Sequence, residues 1–102
     1  MLLAKREVVV ITLEDCIALC GLTKEEVKAI AEHEHVPEIA AAGMARYLLK
    51  GSHGAEKIRD MIRDDIRQAL KREDRDHARE LFMTLRHFLD VHPEARTKGP
   101  LR

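Results

Sequence analysis

The stretch AEKIRDMIRDDIRQALKR, residues 55–72, decides the fold class. Its apolar residues Ile58, Met61, Ile62, Ile66, Ala69 and Leu70 recur every three or four positions with charge almost everywhere else, the signature of an amphipathic helix. The polar joint KREDRD, residues 71–76, interrupts the stripe. Ala78, Leu81, Phe82, Leu85, Phe88, Leu89 and His92 then rebuild it. Two amphipathic helices joined by a short polar segment fold back on each other as an antiparallel hairpin. Within it His92 shares the stripe of Leu81, Leu85 and Phe88, which predicts a core histidine with one satisfied nitrogen.

Working toward the N-terminus, Gly51 to Gly54 reads as a loop. Before it, EIAAAGMARYLLK (38–50) is rich in alanine, with Ile39, Met44, Tyr47, Leu48 and Leu49 spread around the axis. Small residues let neighbouring backbones approach closely, so this helix is expected at the centre of the bundle. Pro37 separates it from a helix running to about His35, since proline disfavours helical backbone at the preceding residue and suits the first turn of the next helix. That earlier helix opens on a capping box, Thr23 to Glu26. Upstream, Thr12 caps a short helix through Leu13, Cys16, Ile17 and Cys20 that stops at Gly21. The expected architecture is all-α: a compact bundle of about five helices with an alanine-rich central helix and a C-terminal helical hairpin. An N-terminal arm over residues 1–11 precedes the helical domain 12–92, and a flexible tail follows at 93–102. In the arm, the β-branched run Val8-Val9-Val10-Ile11 favours extended backbone and needs a pairing partner, either the helices or the same segment of a second copy.

Composition excludes several classes. The chain has 102 residues with 18 basic and 18 acidic side chains, a net charge of zero, so no polybasic surface calls for a nucleic acid. No apolar run approaches the ~18 residues of a membrane span. The N-terminus lacks the apolar region and cleavage site of a secretory signal, which predicts a cytoplasmic protein. Cys16 and Cys20, four apart, fit reduced core thiols better than a disulfide framework or a metal knuckle. Phosphate-loop and hydrolase motifs are absent, and no catalytic activity is inferred.

Five groups of residues invite a functional reading. Leu13, Gly21, Leu22, Val27 and Ile30 have a spacing that resembles a helix-turn-helix. The second helix, however, carries Glu25, Glu26, Glu32 and Glu34 against Lys24 and Lys28, and phosphates would repel it. Glu32 and His35 form a Glu-x-x-His pair, echoed by Asp74 and His77. This spacing is used by metal sites in helical bundles, and the four are the candidate ligands for zinc or iron; no other cofactor is expected. In the same helix Glu34 falls within the arc of Val27, Ile30 and Ala31. It is expected either to pair with Arg46 or to sit at a rim. Arg59, Arg63 and Arg67 form a row beside Asp60 and Asp64, the pattern of a solvated, salt-bridged face. Last, Glu80, Met83 and His87 share an outward face of the final helix. With Val8, Val9, Val10 and Ile11 they are the candidate contacts of a protein–protein interaction module, expected to form a homodimer or to bind another protein. A metal-binding helical protein is the alternative, and a DNA-binding regulator the third.

Overall fold

A computed structural model describes residues 12–96. The β-branched run Val8 to Ile11 and the chain beyond Arg96 lie outside the described residues. Five helices follow in order: α1 (Leu13–Cys20), α2 (Lys24–Glu34), α3 (Glu38–Lys50), α4 (Gly54–Lys71) and α5 (Arg75–Val91), closed by a 3-10 turn at Pro93–Ala95. The described residues contain no strand, and no helix among them is long and apolar enough to cross a membrane.

Local chemistry sets the boundaries. At the start of α1 the Thr12 hydroxyl accepts from the Asp15 amide at 3.1 Å while Asp15 accepts from the Thr12 amide at 3.2 Å. Thr23 and Glu26 repeat this reciprocal pair at the start of α2, at 3.1 and 2.9 Å. Each box satisfies amides that the first helical turn leaves without partners. Gly21 ends α1 at φ 78°, backbone that glycine adopts without strain. His35 ends α2 in the same left-handed region, at φ 59°. Gly54 is the first residue of α4 rather than the last of the loop. A Cβ there would lie 1.6 Å from the Leu48 carbonyl oxygen, so only glycine lets α4 start against the end of α3.

Packing radiates from α2, which touches every other helix. Val27 and Ile30 of α2 are fully buried together with Ile58 and Ile62 of α4 and Phe88 of α5. Each such side chain contributes about 1.5–3 kcal/mol through removal from water. The alanine-rich α3 meets α1, α2 and α4, and Ala41, Ala42 and Ala45 supply the close contacts. Its opposite face is open, with Ile39 and Tyr47 exposed beside Gly43. Alanines allow close approach while covering little area, so one face of α3 completes the contacts. The α4–α5 hairpin runs alongside as the sequence pattern requires.

Residues 93–96, the described part of the expected tail, form a 3-10 turn packed on the bundle. Ala95 is fully buried, and its carbonyl accepts from the Arg59 guanidinium at 2.8 Å. Arg59 therefore leaves the solvated row expected of it and ties the 3-10 turn to α4. His92 stacks on Phe88 with ring centroids 4.5 Å apart, but its buried Nδ1 has no hydrogen-bond partner. Glu34 takes the rim, one of the two places expected of it. It sits half-exposed at the end of α2 beside His33, at 3.3 Å, with no bond to Arg46 among the described residues. Its helix ends at that residue, so the side chain clears the core and reaches the rim.

Candidate functional site

Two clefts flank the C-terminal half of α2. On one side, α2 and α5 touch less extensively than α4 and α5 do, and between them opens a groove of about 990 Å³. Ala29, Val36 and Leu81 line it as apolar surface, and the exposed Met83 stands at its edge. The groove's charged residues are Glu25, Glu32, Glu38 and Glu80 against Lys28, Arg79 and, when protonated, His77. On the other side, α2 and α4 enclose a smaller polar cleft of about 330 Å³, reached by His33, His35, Asp64 and Asp65.

Glu32 belongs to both clefts, and His77 holds it in place. The His77 Nε2–H donates to the two Glu32 carboxylate oxygens at 2.8 and 2.9 Å, and His77 Nδ1 stands 3.4 Å from Glu80 Oε1. An imidazole with a carboxylate at each nitrogen is best satisfied as the doubly donating cation. The Glu32 hydrogen bond accordingly raises the His77 pKa above the ordinary histidine value, against the smaller opposing effect of desolvation.

Two carboxylates, Glu26 and Asp65, are the buried charged residues of the described chain. One Glu26 oxygen closes the α2 capping box; the other, Oε2, has no hydrogen-bond partner, and His87 Nε2 is 3.9 Å away. Burial raises the Glu26 pKa, opposed by its hydrogen bond from the Thr23 amide and by His87 and His92. Asp65 is 8% exposed, and its Oδ2 likewise has no partner. Burial raises its pKa too, with the neighbouring His33 acting in the opposite direction. Beside it, His33 Nε2 lies 3.5 Å from Asp64 Oδ2, while His33 Nδ1 faces Glu34 Oε2 at 3.3 Å. One ligand atom from each of His33, Asp64 and Asp65 falls within 4.8 Å of the other two.

The residues singled out from sequence are distributed across these features. Of the four candidate ligands, Glu32 and His77 meet directly. Asp74 is instead the N-cap of α5, accepting from the His77 amide at 3.2 Å. His35 lies in the polar cleft on the other side of Glu32. Glu80 and Met83 border the groove, whereas His87 stands toward Glu26. The helix-turn-helix spacing falls on α1 and α2, but α2 is the helix around which the others pack, and its charged groove-side residues include Glu25 and Glu32. Asp65 belongs to none of the sequence motifs, yet it stands seven residues beyond Ile58 and four before Ala69 on the inward stripe of α4. Comparison with protein-family models, with curated proteins and with solved structures finds no match.

Proposed function

We infer that this chain is a protein-docking module that self-associates, the groove between α2 and α5 of one copy receiving the N-terminal segment of a second copy. The observation that carries this reading is the complementarity between groove and segment. The groove combines apolar surface with an excess of acidic side chains. The segment joins the apolar run Val8 to Ile11 to Lys5, Arg6 and Glu7, a net side-chain charge of +1. Apolar burial supplies affinity in such an arrangement, and opposite charges set direction and register.

Length and connectivity support the same occupant. Eleven extended residues span about 36 Å, and the 17 residues of α5 rise about 25 Å, so the segment is long enough to follow the groove. The segment leads into α1, which makes no contact with α5, a placement that favours a second copy over the chain's own segment. Reciprocal exchange closes a two-fold dimer in which each groove is filled. The reading places the protein in the cytoplasm, where the free thiols of Cys16 and Cys20 stay reduced.

Sedimentation of the full chain, of a chain lacking residues 1–10 and of Met83→Glu tests the reading, with circular dichroism verifying that each is folded. The full chain is expected to be dimeric at micromolar concentration and both variants monomeric. A full chain that stays monomeric at high micromolar concentration overturns the reading, as does a dimer that survives both changes.

A further inference from the structure

We propose that His33, Asp64 and Asp65 form a binding site for a divalent metal ion of the zinc class in the cleft between α2 and α4. The first support is spacing. Ligand atoms around a tetrahedral zinc ion with bonds of about 2.0–2.1 Å lie about 3.3 Å from one another. His33 Nε2 and Asp64 Oδ2 are 3.5 Å apart, and the ligand atoms of all three residues lie within 4.8 Å. Modest side-chain rotation closes the remaining difference. The ligand set, one imidazole and two carboxylates, matches zinc, iron(II) or manganese(II), while a site for copper(I) would use thiolates or thioethers.

Asp65 supplies the second support. Its side chain is more than nine-tenths buried, reaches the cleft and has a carboxylate oxygen without a partner. A polar atom left in this condition costs stability unless something fills its coordination. A cation placed between Asp65, Asp64 and His33 does so and draws the two neighbouring carboxylates together.

The third support is the orientation of His33. Its Nδ1 faces Glu34 Oε2 at 3.3 Å, leaving Nε2 directed at Asp64. With a metal ion in place of a proton between Nε2 and Asp64, the Glu34 carboxylate accepting from Nδ1–H holds the tautomer whose Nε2 carries the ligating lone pair, the arrangement common around protein-bound zinc. Glu34 thereby has a role as a positioning residue. Three protein ligands leave a coordination position toward the cleft. The basic groups nearby are Arg67, whose Nη2 lies 3.8 Å from Asp64 Oδ1, and Arg72 and His35 along the cleft. Arg67 occupies the other Asp64 oxygen, so the one facing His33 remains available.

Zinc titration of the full chain by calorimetry, paired with thermal unfolding, tests the site in wild type, Asp65→Asn, His33→Ala and His53→Ala. Wild type should bind one ion per chain, and its unfolding midpoint should rise by roughly 10 °C at a hundredfold excess over Kd. Asp65→Asn should unfold without metal at no lower temperature than wild type, since it removes a buried charge, and should lose the zinc-dependent rise. His33→Ala should lose the rise as well, whereas His53→Ala, at the far N-terminal end of α4 and outside the cleft, should keep it. Absence of stoichiometric binding in wild type overturns the proposal. Binding that persists in both Asp65→Asn and His33→Ala, or that disappears in His53→Ala, overturns it equally.

Discussion

His77 Nε2 reaches both carboxylate oxygens of Glu32, at 2.8 and 2.9 Å, across 45 residues of sequence. The bond joins the first turn of α5 to the last turns of α2 at the end of the groove where Glu80 and Glu38 also stand. It ties the two helices together at that end.

This pair makes stability depend on pH in a defined direction. The His77 pKa is raised in the folded state, so its contribution is fully present below the ordinary value of 6.5 and fades as pH rises through the raised one. Both side chains are partly exposed, which limits their coupling to about 0.5–1 kcal/mol. A double-mutant cycle of Glu32→Gln and His77→Ala by urea unfolding should find that coupling at pH 5.5 and none at pH 9. Equal coupling at both values would contradict a charge-assisted bond.

Glu26 carries a similar sign for a different reason. Burial, rather than a partner, raises its pKa, and the folded state favours the protonated acid. Its contribution to stability is greatest below the ordinary glutamate value of 4.5 and is lost as pH rises through the raised value. Glu26→Gln keeps an oxygen able to accept from the Thr23 amide and carries no charge. Relative to wild type, its urea midpoint should therefore improve from pH 4 to pH 8, and a difference that is flat with pH would show that Glu26 is not held in a charge-averse environment.

Two glycines separate backbone propensity from packing. Gly43 lies mid-helix in α3 with no atom within 4 Å of the position a Cβ would take, so Gly43→Ala should stabilise the protein by about 0.5–1 kcal/mol. Gly54→Ala puts a methyl against the Leu48 carbonyl and should destabilise by about 3 kcal/mol or more. Similar midpoints for the two variants would mean that α4 does not begin against α3 in this manner.

The Phe88 side chain, fully buried and stacked on His92, anchors the end of α5 over the core. Phe88→Ala should cost about 3–5 kcal/mol, measured by chemical unfolding. A loss below about 1 kcal/mol would place this end of the hairpin outside the cooperative core.

The helices were legible in sequence because each is set by local signals. Ile58, Ile62 and Ala69 mark the inward face of α4 by spacing alone, and Thr23 with Glu26 announces the start of α2 in four residues. Gly54 looks like a loop residue in sequence because its place at the start of α4 depends on the Leu48 carbonyl, a contact visible only once α3 and α4 meet. The candidate sites depend more heavily on such encounters. A regular helix separates His33 from His35, but α2 ends at Glu34 and His35 turns to φ 59°, so both border one cleft. The approach of His33 to Asp64 is set by how α2 crosses α4, for which no motif exists. Asp65 was nevertheless within reach, an acidic residue placed on an otherwise apolar stripe.

Complementation between two monomeric variants tests the arm-in-groove assembly most directly. A chain lacking residues 1–10 retains the groove, and Met83→Glu in the full chain retains the N-terminal segment. Mixing them, with the shortened chain isotopically labelled for NMR, should restore a heterodimer and shift the amide resonances of Lys28, Ala29 and Thr84, which border the groove. Two variants that remain monomeric together, or shifts confined to the exposed Ile39 and Tyr47 face of α3, would contradict it.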